Sequence, residues 1–446
     1  MSGWLRRWRW RSIRSIRREF GARIDRFKRT SKGQVRASLL ADPAVAEAVA
    51  NHARETGESE TEAWRRVRTY VEEIVPSFNL ISYYRLGYGV ARVLIPLLFK
   101  VSVGYEARAA LDAIPRDSVV LYLMNHRSNA DYVVVAYVLS GRVALSYAVG
   151  EWARVWPLEA VFKSFGSYFV RRRYREPLYH RVLERYVQLI TRNGVTQGVF
   201  LEGGLTRDGR LREPKLGLLD YIVRVKAEKG FDRPFHIIPV ALNFDRVLED
   251  RSLLREQQPE SERLGRAEQL REVVSYVFKV SVRFLLRRAR RYGRACVNFG
   301  APLDVDAWLA ERPGVLNLPR EERLPRLKEL ADEVMGRLAL IMPVTPVPLA
   351  ATALLRHPSD HITRGEWEEI LDGLRTTLRN AGAHVVGEEK TSSEILDRAV
   401  IMLTLRRVVH PEGDGFRVDR GQDPLLRYYA NSIAHFFAAE MAIPAE

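Results

Sequence analysis

Val119-Val-Leu-Tyr-Leu-Met-Asn-His-Arg-Ser-Asn-Ala-Asp-Tyr132 decides how this chain is read. Val119 to Met124 is a short apolar run. A polar loop follows it, and then a helical pattern. The same sequence of signals recurs at Tyr168–Val170, Val199–Leu201, His236–Leu242 and Ala295–Phe299. Strands alternating with helical stretches predict an α/β domain with a mainly parallel sheet. We place that domain at residues 105–310. In such sheets, ligands bind beyond the carboxyl ends of the strands, so the loop after Met124 is the first place to look for chemistry.

Outward from that domain the pattern turns helical. Residues 31–104 read as a helical amino-terminal region, with residues 36–75 as alanine-rich, charged helix. Residues 261–294 form an arginine-rich helical stretch. Residues 311–446 read as a helical carboxyl-terminal region, with Gly365–Ala383 a small unit and Pro424–Ala442 a terminal amphipathic helix. Leu338–Leu355 is uncharged, but Pro343, Pro346 and Pro348 would break a membrane-spanning helix there. Residues 76–105 mix tyrosines, arginines and aliphatic runs, which fits a second interfacial element or a buried core helix.

The chain has 446 residues, 46% of them hydrophobic, which excludes wholesale disorder. Its one cysteine, Cys296, excludes an intrachain disulfide framework and gives no support for a structural zinc site. The formal net charge is +16. That excess predicts an anionic partner: nucleic acid, anionic lipid or phosphorylated substrates. Met1 to Thr30 holds ten arginines, one lysine and two acids, a net +9. Within it, Ile13, Ile16, Phe20, Ile24 and Phe27 recur at steps of three and four, one face of a helix. Trp4, Trp8 and Trp10 precede that stripe. A basic amphipathic helix with tryptophans at one end suits an anionic membrane surface. The bland alternative is a solvated or nucleic-acid-binding arm. The segment lacks the unbroken apolar stretch and small-residue cleavage site of a secretory signal.

Three strand ends are chemically loaded. In the first, His126 precedes Asp131 by five residues. On a continuous helix the two would lie about 140° apart. They meet if His126 lies in the strand-to-helix turn and the helix starts near Ser128. Asp131 then orients one imidazole nitrogen and leaves the other to take a proton, the base-plus-orienter pair of acyl-transfer sites. The same residues also read as a helix-capping pattern. The second strand end carries Arg171-Arg-Arg173, a phosphate clamp or a solvated face. The third is Glu202-Gly-Gly-Leu-Thr-Arg207. Gly203 and Gly204 let the backbone approach a ligand, and Thr206, Arg207 and Lys215 add donors.

Taken in order, HRSNAD, GSYFVRRR, FLEGGLTRDGRL and IIPVALNFDRV resemble the four sequence blocks of the glycerolipid acyltransferases. Within them the chain is similar to the large membrane-bound bacterial glycerol-3-phosphate acyltransferases, although it is shorter, chiefly at the amino end. The resemblance covers residues 105–305 strongly and continues more loosely toward the carboxyl end. It implies that His126 is the general base and Asp131 its orienting partner. It implies that Arg171 or Arg172 holds the acceptor phosphate, that Glu202, Gly203, Gly204 and Arg207 shape the acceptor site, and that Pro239 lies on the acyl-donor side of the cleft.

The expected reaction moves a fatty acyl group from acyl-CoA or acyl carrier protein to glycerol 3-phosphate, with no cofactor and no metal. The family's third block usually reads Glu-Gly-Gly-Arg-Ser-Arg, whereas Leu205 and Thr206 stand here. Threonine keeps the hydroxyl. Leucine removes a phosphate ligand, which leaves lysophospholipid or dihydroxyacetone phosphate as alternative acceptors. From another class, the net charge alone would fit a nucleic-acid-binding protein, but no helix-turn-helix, zinc or RNA-binding signature accompanies it. The expected location is the cytoplasmic face of the cell membrane, peripheral or monotopic.

Overall fold

The computed structural model describes residues 32–76, 88–139, 145–150, 167–171, 174–256 and 293–437. The basic segment 1–30, the stretch 261–292 and Arg172 lie outside them.

The region expected as one helical stretch is three helices: α1 (Lys32–Leu40), α2 (Pro43–Thr56) and α3 (Glu60–Ile74). The breaks are local chemistry. Asp42 caps α2, its side chain accepting from the Ala44 amide, with Pro43 at the first turn. Gly57 ends α2 at φ 73°, a conformation that costs glycine little. Ser59 then caps α3 through the Glu62 amide.

Next come α4 (Tyr88–Leu98) and β1 (Lys100–Tyr105). In the described part of 76–105, Ala91, Ile95 and Phe99 are buried in the core. The last six residues form a strand, not part of a helix. The chain continues through β2 (Val119–Met124), α5 (Asp131–Leu139), β3 (Ser146–Gly150), β4 (Tyr168–Val170) and α6 (Pro177–Arg192). After these come β5 (Gln197–Phe200), α7 (Leu216–Val223), β6 (Phe235–Phe244), α8 (Asp250–Arg255), β7 (Arg294–Phe299) and β8 (Leu303–Asp304).

The eight strands make one sheet in the order β1-β7-β6-β2-β5-β3-β4, with β8 beside β6. The five adjoining pairs β1–β7, β2–β6, β2–β5, β3–β5 and β3–β4 are parallel. Only β7 and β8 run against β6. The mainly parallel α/β class is therefore correct.

The sheet is covered on both faces, and β2 shows why its sequence is apolar throughout. Val119, Leu121 and Leu123 belong to one core; Val120, Tyr122 and Met124 belong to the other. Successive side chains of a strand point to opposite faces, so a strand between two cores has no polar side. Truncating Leu123 to alanine would cost about 2–5 kcal/mol. The first core takes in α1 to α3, α6, α7 and the long helix α9 (Arg320–Leu340). A buried ion pair, Arg323 Nε to Asp220 Oδ1 at 2.7 Å, joins α9 to α7.

The second core takes in α10 (Pro346–Arg356), α11 (Arg364–Asn380), α12 (Ser392–Leu405) and α13 (Asp423–Ala430). Their region also holds a three-stranded antiparallel sheet of β9 (His361–Thr363), β10 (Val409–Glu412) and β11 (Gly415–Val418), where only helix was expected. The expected terminal helix stops at Ala430, followed by turns and a short 3₁₀ segment at Ala434–Phe437. Pro343 falls between α9 and α10, at the break expected there, whereas Pro346 and Pro348 sit in the first turn of α10, where a missing amide costs no helical bond. Among the described residues no helix is long and apolar enough to cross a membrane.

Candidate active site

The site begins at the carboxyl end of β2. Asn125 clamps the chain to the neighbouring strand: its Nδ2 donates to the Leu242 carbonyl at 2.9 Å, and its Oδ1 accepts from the Leu242 amide at 2.7 Å. The backbone then turns, and α5 starts at Asp131. The turn brings His126 Nδ1 to 2.9 Å from Asp131 Oδ2. The same oxygen accepts the amides of Arg127 at 2.7 Å and Ser128 at 3.0 Å. Orienting and capping are therefore one device. Both side chains are buried. The His126 ring stacks on Phe200, centroids 4.0 Å apart, and meets Tyr132 edge-on at 5.4 Å.

The loop after β5 grips the same residue from the other side. The His126 amide donates to Glu202 Oε1 at 3.0 Å, and the His126 carbonyl accepts from the Thr206 amide at 3.0 Å. Glu202 Oε2 also accepts the Arg212 amide at 3.2 Å. Burial pushes the Glu202 carboxyl up to about 8, although these backbone donors and the nearby guanidinium of Arg127 pull it down. Glu202 thus ties two sequence blocks together rather than facing a ligand.

Gly203 has φ 67°, and a Cβ there would come within 2.8 Å of Lys215 Cγ. Its amide closes a turn onto Phe200 O at 3.0 Å. The amides of Gly204 and Leu205 find no acceptor among the described residues. Thr206 is buried, and its hydroxyl serves the loop: it lies 2.8 Å from the Arg210 carbonyl and 3.0 Å from Asp208 Oδ1, and accepts the Gly209 amide at 3.1 Å. Lys215 is exposed at the end of the loop.

Arg207, Asp208, Arg210, Leu211 and Arg212 line an open cavity of about 360 Å³. Arg207 is exposed and pairs with Glu256, Nε to Oε2 at 2.9 Å. Arg212 donates through Nη1 to the Leu205 carbonyl at 3.2 Å. Neither Arg210 nor Arg212 has a carboxylate partner among the described residues. Excess positive charge in a concave site attracts anions.

Two expected residues have other roles: Arg171 stands apart from this cluster, and Pro239 belongs to the strand beside β2. Arg171 ends the edge strand β4, three strands from β2, about 14 Å at sheet spacing. Its guanidinium is held by Glu73 of α3, including Nε to Oε1 at 2.7 Å, and lies over the rings of Tyr174 and Tyr179. The Glu73 carboxylate raises its pKa. Arg171 therefore joins α3 to the sheet edge instead of facing His126. Pro239 lies inside β6, opposite Leu123 of β2. β8 pairs β6 through Ile237, and β7 resumes at Val240. Pro239 thus falls in the gap between those pairings, where a missing amide costs no ladder bond.

Several contributors carry no obvious signal in the sequence. Buried Arg127 reaches the Gly209 carbonyl through Nη1 and lies 4.9 Å over the Tyr428 ring of α13. Ser128 Oγ donates to Glu249 Oε2 at 2.7 Å, 121 positions away. Among the described residues no group of three or more His, Cys, Asp or Glu side chains is arranged to hold a metal ion.

Residues 109–243 match the acyltransferase family model, and residues 243–445 match that of the glycerol-3-phosphate acyltransferase C-terminal region. A glycerol-3-phosphate acyltransferase of Aeromonas hydrophila is 29% identical over 418 residues, 91% of this chain and 50% of that protein. One of Pseudoalteromonas atlantica is 28% identical over 420 residues, 90% of this chain and 49% of that protein. The chain thus spans about half the length of these relatives. A solved 1-acyl-sn-glycerophosphate acyltransferase of Thermotoga maritima overlaps 66% of this chain and 94% of its own, at 16% identity and a TM-score of 0.31, an overlap too low to bear on the site.

Proposed function

We propose that this chain, which matches the acyltransferase family model over residues 109–243 and the glycerol-3-phosphate acyltransferase C-terminal model over residues 243–445, transfers a fatty acyl group from a thioester to the primary hydroxyl of glycerol 3-phosphate. The product is 1-acylglycerol 3-phosphate. One observation carries the reading: the oriented base His126 and the arginine-lined loop share a backbone connection, from the Thr206 amide to the His126 carbonyl. A base and an anion site held together are what a phosphorylated alcohol requires.

Asp131 keeps the proton of His126 on Nδ1, so Nε2 takes the hydroxyl proton. The hydroxyl oxygen attacks the thioester carbonyl, and the C–S bond breaks. The departing thiolate recovers the proton from Nε2. A thiolate is a good leaving group, so no acyl-enzyme is required. His126 is buried, so substrates must open a path to it, and proton transfer then takes place away from bulk water. We assign the acceptor phosphate to Arg207, Arg210 and Arg212, with the Gly204 and Leu205 amides as further donors. Arg171 is already engaged and too distant. The donor carrier is coenzyme A or acyl carrier protein.

Leu205 favours a second reading, with dihydroxyacetone phosphate or a lysophospholipid as acceptor. The Arg212 guanidinium at the Leu205 carbonyl argues for a phosphate monoester all the same, because it supplies a cation at that point of the loop. We further propose that the basic segment 1–30 holds the protein on the anionic cytoplasmic face of the membrane. Assaying acyl-CoA against glycerol 3-phosphate, dihydroxyacetone phosphate, lysophosphatidate and glycerol tests the reading. Transfer fastest to glycerol 3-phosphate is expected. Transfer only to a lysophospholipid, or none to any glycerol acceptor, overturns it.

A further inference from the structure

We infer that Glu249 is a titratable positioning residue, whose carboxyl sets the charge behind the His126–Asp131 pair through the hydroxyl of Ser128. It belongs to the turn between β6 and α8, and nothing in the four sequence blocks singles it out.

The geometry is a chain of three links. Glu249 Oε2 accepts from Ser128 Oγ at 2.7 Å. Ser128 Oγ accepts the Ala130 amide at 3.0 Å, and the Ser128 amide donates to Asp131 Oδ2 at 3.0 Å. Asp131 Oδ2 meets His126 Nδ1 at 2.9 Å. One short side chain thus separates two carboxyls, and one of them orients the base. Two like charges so placed in a low-dielectric site do not ionise independently. Three N–H groups converge on Asp131 Oδ2, whereas the Glu249 side chain receives the Ser128 hydroxyl together with backbone N–H groups of Asn129 and Glu249 itself.

The surroundings bear this out. Withdrawal from water pushes the Glu249 carboxyl up to about 7, the Ser128 hydrogen bond pulls it down, and the Asp131 charge pushes it up. Tyr428 of α13 faces the same cluster, within electrostatic reach of Arg127, Asp250, Glu249 and Asp131. Asp250, next in the chain, is held by Arg406, the C-cap of α12, and by the Tyr429 hydroxyl at 2.6 Å. Glu249 is thereby anchored to the carboxyl-terminal helices. When it ionises, a second negative charge appears behind Asp131. That charge stabilises protonated His126 and strengthens it as a base.

The inference rests on the acyl-transfer reading, so one arm of the test needs no substrate. In full-length protein labelled with ¹⁵N-histidine, the His126 ring signals are assigned by their loss in His126→Ala. They should shift in two steps with pH: the ring's own, and one centred near 7. Glu249→Gln should remove the step near 7 and leave the other. A single step, unchanged by Glu249→Gln, overturns the inference even if no acceptor is ever found.

In the activity arm, Glu249→Gln should lower kcat above pH 7.5 about 3- to 10-fold and leave the acceptor KM alone, as a weaker base requires. Glu249→Ala, which also removes the acceptor for Ser128, should lower kcat further at every pH. Ser128→Ala, which removes a hydrogen bond that lowers the Glu249 pKa, should move the step to higher pH, and Ser128→Thr should return it toward 7. These serine variants decide the matter if Glu249→Ala does not fold. Equal pH profiles in wild type and Glu249→Gln overturn the inference while leaving the acyl-transfer reading intact.

Discussion

The Thr206 amide donates to the His126 carbonyl at 3.0 Å. Through that bond the arginine loop and the candidate base hold a fixed relation. Glu202 adds a second tie, from the His126 amide, and Arg127 a third, to the Gly209 carbonyl. The loop from Glu202 to Arg212 is therefore one unit with the candidate catalytic turn, though 76 positions separate His126 from Glu202.

His126→Ala should abolish transfer and leave the fold intact. Loss of a general base lowers rate by about 10²–10⁴-fold. Asp131→Ala should also lose activity, but it removes a helix cap and costs a further ~0.5–2 kcal/mol of stability. Turnover numbers read beside urea midpoints separate the two effects. A His126→Ala protein with near wild-type turnover would remove the base from the mechanism.

Arg210→Ala and Arg212→Ala should raise the acceptor KM roughly 10- to 150-fold, because a charge-assisted bond contributes about 1.5–3 kcal/mol. The donor KM should hold. Arg207 already shares its charge with Glu256, so its effect should be smaller. Arg171→Ala should leave the acceptor KM within about 3-fold and lower stability by ~1–3 kcal/mol, since it strands the buried Glu73 carboxylate. If Arg171 alone moves the acceptor KM, the phosphate belongs at the sheet edge instead.

What the sequence made legible follows physical range. β2 was readable because burial on both faces leaves six apolar residues in a row. The His126–Asp131 pair was readable because five positions suffice to close it. β9 to β11 escaped notice: each has three or four residues, too few to establish a period of two. The Glu412-Gly413-Asp414-Gly415 turn between β10 and β11, with Gly413 at φ 58°, was the available hint. The partnership of Arg171 with Glu73 spans 98 positions, and that of Ser128 with Glu249 spans 121. No local pattern encodes such pairs. An arginine run after a strand looks the same whether a phosphate or a distant glutamate neutralises it.

Deleting Met1 to Thr30 should weaken membrane attachment without removing activity. Basic residues near an anionic surface contribute about 1 kcal/mol each, and salt screens them. The apolar stripe adds a salt-resistant part. Liposome co-sedimentation of full-length and truncated protein, with neutral and anionic lipid at two salt concentrations, measures both. Equal binding of the two proteins to anionic vesicles would show that the segment is no anchor. Tight duplex DNA binding without lipid preference would favour a nucleic-acid arm.

Glu202 gives stability a defined pH dependence. Its carboxyl titrates near 4.5 when unfolded and is raised to about 8 in the fold by burial. Below pH 4.5 both states hold the proton, and the contribution to stability is fully present. Between 4.5 and 8 the folded state keeps a proton that the unfolded state releases, so stability falls as pH rises. Above 8 both states have lost it and the decline ends. Glu249, raised to about 7, adds a smaller decline of the same sign. Urea midpoints from pH 5 to 8.5 should therefore decrease, and Glu202→Gln should remove the larger part of the slope. The variant carries its own cost of about 1–3 kcal/mol, because an amide satisfies one backbone donor and opposes the other. One of the His126 and Arg212 amides would face an NH₂ group. A Glu202→Gln protein with an unaltered slope would mean that this carboxyl is ionised in the fold. In that case Arg127, whose guanidinium already lowers the Glu202 pKa, balances its charge.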